Sequence, residues 1–408
     1  MKAWLKQKDL ICVVLISLGL AALFQVMYPW AEIWGDETFY LRLTESPFVP
    51  CDFPWTYRLL TPLLVSAIPL PIYWGYRTVT ALATAGVMTG LYLLSRRMGA
   101  SVMLSGALLA LYAAHPQAHY LASHCALVDM TTTLFLVLSL HAFLFQQEWL
   151  LSSSLLLGVL NHESMMWFLP TTWVVACWER PWKPAMVRAV ILCVPALLVF
   201  GVSRFLLPIF SDQAVVEKIT ELYIPYMKAP PRFIEGYLNH FLDQIRQTGG
   251  FFNLLAGCEP AGGAAVLVPL AAVGLYRMTA RGKSLLVFMV LNTVFNRIFQ
   301  ARTELSYFNV PVILAGTATV FSWCSAWPLP YQVITGAICL AGMGFAPHSW
   351  IFGIMIATAI YLSRVYIPIP EPPTAPTTPQ EKKTESDYKE SHAKEAVALK
   401  TRKKRKRK

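Results

Sequence analysis

The stretch Ile33–Pro62 reads IWGDETFYLRLTESPFVPCDFPWTYRLLTP and follows directly on the apolar run 10–30. It opens with adjacent carboxylates, Asp36 and Glu37, at the predicted mouth of a membrane helix. It then passes through an aromatic, proline-rich segment and ends on Tyr57-Arg58 before the chain turns apolar again. Carboxylates are costly in the hydrocarbon core, so a pair here belongs where water or a substrate reaches it. The arrangement points to an enzyme working at a membrane surface rather than to a simple anchor.

Around this stretch the chain is 56% hydrophobic and only 14% charged over 408 residues. Soluble domains carry about 25% charged residues, so the deficit points to a multi-pass membrane protein. The apolar runs are continuous, which suits helices; barrel strands would alternate over about 10 residues. They fall near 10–30, 73–95, 101–114, 126–145, 150–161, 164–178, 189–209, 252–276, 284–299, 305–323, 331–346 and 348–367. The expected fold is all-α, a polytopic transmembrane bundle of twelve helices. Several are shorter than the roughly 20 residues of a full span. The run from Leu150 to Trp178 is broken by Asn161-His162-Glu163-Ser164 and reads as two short helices meeting at a polar turn.

Lys and Arg in short loops give the orientation. Lys2, Lys6 and Lys8 precede the first helix, Arg96-Arg97 follow the second, and Arg180, Lys183 and Arg188 follow the sixth. Arg277, Arg281 and Lys283 follow the eighth. With all of these in the cytosol the spans thread consistently, and both termini lie inside. Asp36-Glu37, the turn His115 to Asp129, His162-Glu163 and Arg302/Glu304 then share the outer side, an agreement that needs the split near His162. Two outer segments are long, 31–72 and 210–251, and both are expected to hold interfacial helices; in the second, Ile234, Tyr237, Leu238, Phe241 and Leu242 fall at helical spacing. The N-terminal run shows no clear cleavage site and reads as an uncleaved helix.

The membrane module is expected to cover 1–368, and a polar, proline-rich then basic tail, 369–408, to be disordered and cytosolic. The net charge of +11 is dominated by that tail, where Lys400 to Lys408 alone carries eight cations. Beside many spans, such a tail marks the cytosolic side or touches anionic membrane lipid rather than nucleic acid. The eight cysteines form no CxxC pair or Cys/His metal spacing. A disulfide among Cys51, Cys125 and Cys258 is left open.

Each polar cluster carries two readings. Asp36 and Glu37 suit proton abstraction and substrate orientation, or equally a solvated helix cap. Arg58 offers bidentate bonds to phosphate, or snorkels to the headgroups. His115, His119 and Asp129 offer ligands for a metal or a pyrophosphate-linked cation, or form a polar turn capped by Asp. His162-Glu163 marks either a helix break or a substrate contact below the outer surface. Arg302 and Glu304 pair with each other, or Arg302 meets a lipid-linked phosphate.

Taken together these residues resemble the membrane glycosyltransferases of the C-type (GT-C) fold, which use lipid-phosphate sugar donors. The likeness lies in Asp36-Glu37-Thr-Phe-Tyr40 after the first helix and in Tyr57-Arg-Leu-Leu-Thr-Pro62. It extends to Asp129 opening a later helix, to His162-Glu163 between two short helices, and to Arg302 through Tyr307 to Pro311. There are departures: the large soluble C-terminal domain of the oligosaccharyltransferase kind is lacking, and His stands at 162 where a Lys or Arg is more familiar. The resemblance implies transfer of a sugar from a polyprenyl- or dolichyl-phosphate to a glycan, lipid or protein acceptor on the non-cytosolic face. Asp36 would be the base. Arg58, Arg302 and His162 would hold the leaving phosphate, and Glu37, Tyr40, Asp129, Glu163, Glu304 and Tyr307 would position the substrates. No cofactor is required, since arginines supply the phosphate's counter-charge; a divalent metal remains compatible. The rival classes are a transporter or lipid flippase, which predicts charges near the midplane, and a non-catalytic membrane subunit. The compartment is either the bacterial inner membrane or the endoplasmic reticulum, with the active site periplasmic or lumenal.

Overall fold

A computed structural model describes residues 7–30, 33, 36–46, 57–168, 182–205, 239, 242–243, 245–247, 267–278, 281–289, 292 and 309–343. Among them helix is the only regular structure, as the continuous apolar runs predict. In chain order the helices are α1 (Gln7–Met27), α2 (Asp36–Glu45), α3 (Leu60–Ala67), α4 (Ile72–Arg97), α5 (Val102–Ala113), α6 (Pro116–Ser123), α7 (Asp129–Leu144) and α8 (Glu148–Asn161). A 3-10 turn (Glu163–Trp167) follows, then α9 (Trp182–Phe205), α10 (Leu267–Arg277), α11 (Asn309–Cys324) and α12 (Leu329–Met343). Most of the second helix expected after the polar turn (169–178), most of the 210–251 segment and the tail fall outside the described residues.

Among the described residues three helices are long and apolar enough to cross a membrane, over Lys8–Met27, Ile72–Arg97 and Met186–Ser203. Two of them turn apolar side chains outward: Leu15 and Ile16 on α1, and Ile191 and Leu198 on α9, are all more than half exposed. Such helices, apolar all round, suit lipid rather than water. α4 is the most enclosed of the three and packs on α1, α5, α7 and α11. α8 lies between α7 and α9, and α10 packs on α11. In this last contact the backbones nearly touch: a Cβ on Gly274 would collide with the Gly316 carbonyl oxygen.

The helices give the molecule two distinct ends. Arg77 at the start of α4 donates to Gln25 near the end of α1, so these helices run antiparallel. Arg96 and Asp9 both act on Tyr92 at their other ends. At this far end Arg97 meets His141 late in α7, Arg281 donates to the Phe143 carbonyl, and Arg188 pairs with Glu148 at the start of α8. The first turns of α2 and α7 and the last of α8 lie at the opposite end. α4 has 26 residues, which at 1.5 Å each places the two ends about 39 Å apart.

One detail differs from the sequence expectations, and one left open there is now described. The turn 115–124 is largely helical: Pro116 opens α6 where a missing N–H costs nothing, and the His115 side chain caps it by accepting from Gln117 N. Cys125 is a buried free thiol whose Sγ sits 3.3 Å from Gln25 Oε1, so no disulfide forms through it.

Candidate functional site

The site is built where helices begin and end. Asp36 opens α2 and Asp129 opens α7, places where the helix dipole favours a carboxylate. Arg58 stands two residues before α3. α8 stops at Asn161; His162 is extended (φ −159°, ψ 130°), and the chain re-enters a 3-10 turn at Glu163. The break foreseen at residues 161–164 therefore occurs, and it turns His162 and Glu163 toward the other helix ends.

Arg58 is the centre of the cluster. Its Nε donates to Glu163 Oε2 at 3.0 Å and its Nη2 to Glu163 Oε1 at 2.6 Å, a two-pronged pair. Nη1 donates to the Tyr40 hydroxyl at 2.5 Å. The Arg58 side chain keeps 11% of its exposure and Glu163 keeps 20%, so the pair sits just below the surface. Burial opposes the Arg58 charge, but Glu163 and Tyr40 more than offset it, and the guanidinium is held firmly cationic. Burial also raises Tyr40 well above the ordinary phenol value, against the pull of Arg58. Tyr40 thus accepts from Arg58 while keeping its own proton to donate. Asp36 lies near enough to act electrostatically on both Arg58 and Tyr40, and Asp129 acts on Tyr40.

His162 adds a defined tautomer. The Ser164 backbone N–H donates to Nδ1 at 3.1 Å, so that nitrogen is the unprotonated one. Nε2 then carries the proton and faces Asp129 Oδ1 at 3.8 Å. Glu163 Oε2 lies 3.9 Å from Nδ1. In this arrangement His162 and Asp129 stand as neighbours, a little beyond hydrogen-bond reach.

Glu37 takes a different direction from Asp36. Trp30 Nε1 donates to its Oε1 at 3.2 Å, and His124 Nδ1 lies 3.4 Å from Oε2. A backbone bond from Ala126 completes the pocket. The side chain is 1% exposed. Burial raises its pKa, a shift that His124 and these bonds reduce without cancelling. Successive helical residues point about 100° apart, so a helix that aims Asp36 at Arg58 must aim Glu37 elsewhere. Trp30 and His124 were not picked out as its partners; a Trp six residues before a carboxylate pair was the only local signal.

The candidate set His115, His119 and Asp129 does not assemble. His115 caps α6, and His119 stacks on Tyr28 at 4.7 Å while its Nε2 bonds the Ala113 carbonyl. Asp129 faces His162 instead. Among the described residues no group of three metal-ligating side chains occurs. Arg302, Glu304 and Tyr307 lie outside the described residues. Neither a scan against protein-family models nor a search of curated proteins returns a match to this chain.

Proposed function

We propose that the chain is a multi-pass membrane glycosyltransferase of the GT-C type, moving a sugar from a lipid-phosphate donor to an acceptor on the non-cytosolic face. The observation that carries the reading is the meeting of Asp36, Tyr40, Arg58, Asp129, His162 and Glu163 at one end of the bundle, opposite the basic end. Basic residues mark the cytosolic side, so the cluster would face the periplasm or the lumen.

In the reaction, the Asp36 carboxylate takes the proton of the acceptor hydroxyl. That oxygen bonds to the anomeric carbon from the side opposite the phosphate. The carbon–oxygen bond to the phosphate breaks, and its electron pair leaves on the phosphate oxygen, with inversion. Glu163 fills the Nε–Nη2 edge of Arg58, and the remaining Nη protons are the seat for this phosphate, with Tyr40 supplying a proton for a further hydrogen bond. Preorganised donors of this kind stabilise charge as it develops. Arg302 is the expected second cation. Glu37 holds the start of α2 through Trp30 and His124. Arginines suffice as counter-charge, and a divalent metal is compatible with the scheme but not needed.

The test uses purified protein in lipid, a panel of radiolabelled polyprenyl-phosphate sugars, and Asp36→Asn beside wild type. Release of sugar to acceptor or water by wild type, with Asp36→Asn reduced at least about 100-fold, is the expected result. Donor lipid carried across the bilayer uncleaved, equally in both proteins, would replace the enzyme reading with a flippase.

A further inference from the structure

The side chain of Asn161 is fully buried and lies just behind the cluster. Its Oδ1 accepts from Thr61 N at 3.1 Å and from Thr61 Oγ1 at 2.6 Å. Its Nδ2 donates to the Val128 carbonyl at 2.8 Å and to Thr132 Oγ1 at 2.7 Å. A primary amide has two protons and two strong acceptor sites, and these contacts use all of them. The amide cannot be turned over, because the Thr61 N–H only donates and the Val128 carbonyl only accepts.

Those partners are not arbitrary. α3 and α7 have no side-chain caps of their own, at Leu59 and Val128. Asn161 answers an orphan N–H in the first turn of α3 and braces the carbonyl that leads into α7. Leu59 N also donates to the Leu160 carbonyl at 3.1 Å. The anchored residues lie close in sequence to the site: Leu59 and Thr61 follow Arg58 by one and three residues, Val128 directly precedes Asp129, and Asn161 directly precedes His162.

We propose that Asn161 is a positioning residue that fixes Arg58 against Glu163 on one side and Asp129 against His162 on the other, an inference that rests on the transferase reading above. It touches no substrate. Its two halves act on different parts of the site. The Oδ1 half, through Thr61, sets the guanidinium that holds phosphate. The Nδ2 half, through Val128 and Thr132, sets Asp129. A misplacement of about 1 Å at a reacting group costs up to roughly 100-fold in rate, so each half has a kinetic signature.

Thr61→Val removes the hydroxyl bond of one half and Thr132→Val that of the other, each leaving the backbone bond in place, and Asn161→Ala removes both halves entirely. Ser154→Ala is the control for a merely structural loss, since Ser154 bonds Ser139 at 2.9 Å in the same pair of helices but away from the site. Full-length proteins in lipid are compared by donor KM, kcat and the Kd for sugar-free polyprenyl phosphate. Thr61→Val should raise KM and Kd about tenfold with kcat within about twofold. Thr132→Val should lower kcat about tenfold with Kd within about twofold. Asn161→Ala should show both changes, and Ser154→Ala neither. Turnover in wild type with no such split between the threonine variants overturns the positioning role. No turnover in wild type, but polyprenyl phosphate binding weakened by Thr61→Val alone, overturns the transferase and keeps the positioning role. No turnover and no differential binding removes both.

Discussion

Asp36 and Glu37 share a peptide bond but not an environment, and titration should separate them. Glu37 has a raised folded pKa, whereas an unfolded Glu titrates near about 4.3. The fold therefore holds the Glu37 proton more tightly than the unfolded chain does. The stability this gives is fully present below the unfolded value and is lost as pH rises through the folded one. Glu37→Gln imitates the protonated form. Thermal unfolding in detergent from pH 4 to 7 should find the variant level with wild type at the acid end and more stable than it at the neutral end. A difference that stays constant with pH would show that Glu37 does not titrate in this range. For Arg58 and Glu163 the logic is pairwise. Glu163→Gln strands a mostly buried cation and should cost about 1–3 kcal/mol, less than a fully buried pair because both side chains still meet solvent. Arg58→Met added to Glu163→Gln should restore most of that loss; if the double variant is worse than either single one, the pair is not the source.

At the scale of helices, the contact between α10 and α11 depends on absent side chains. Gly274 and Gly316 let two backbones approach as small residues do in membrane bundles. Gly274→Ala puts a methyl group onto a carbonyl, so the helices must separate. We expect a loss of about 1–3 kcal/mol, read as a lower unfolding temperature in detergent, while Gly106→Ala on α5, where the added methyl meets open space, should leave it unchanged. Equal shifts for both would rule out the close contact. This scale was also the most legible from sequence. Continuous apolar runs place α1, α4, α5, α7, α8 and α12 to within a few residues, because burial in hydrocarbon demands length and uniformity, whereas α9 begins seven residues before its run. α6 was read as a turn because its polar residues, His119 and Tyr120 among them, hide a helix started by Pro116. The direction in which Glu37 points was not legible, since helix phase is set by what packs on Tyr40 and Tyr76 and not by the local sequence.

For the whole molecule, the separation of a basic end from a polar cluster yields a topology that can be tested. Ser66 lies exposed at the end that holds the site, and Lys283 at the basic end beside Tyr276. In a cysteine-free background, Ser66→Cys should react with an impermeant maleimide from the non-cytosolic side only, and Lys283→Cys only after the membrane is opened. Labelling of both from one side would invalidate the proposed orientation. Much of the cluster was readable in advance as residue types at helix mouths: Asp36, Arg58, Asp129 and His162-Glu163 do gather. What sequence could not give was who faces whom, because the His162 tautomer and the Arg58–Glu163 fork depend on a helix break whose angle is a tertiary property.

The pinning of the chain on either side of residues 47–56 bears on how the protein could change by insertion. Before that segment, the Thr44 and Tyr76 hydroxyls meet at 2.6 Å; after it, Thr61 is tied to Asn161. Lengthening a connection between fixed ends is cheap, about 0.6 kcal/mol for each doubling. Residues added between positions 46 and 57 leave both anchors untouched, so such an insertion should cost little. One residue added between Arg58 and Thr61 would instead throw the guanidinium off its mark, so the spacing of that short motif is the part of the cluster least free to drift.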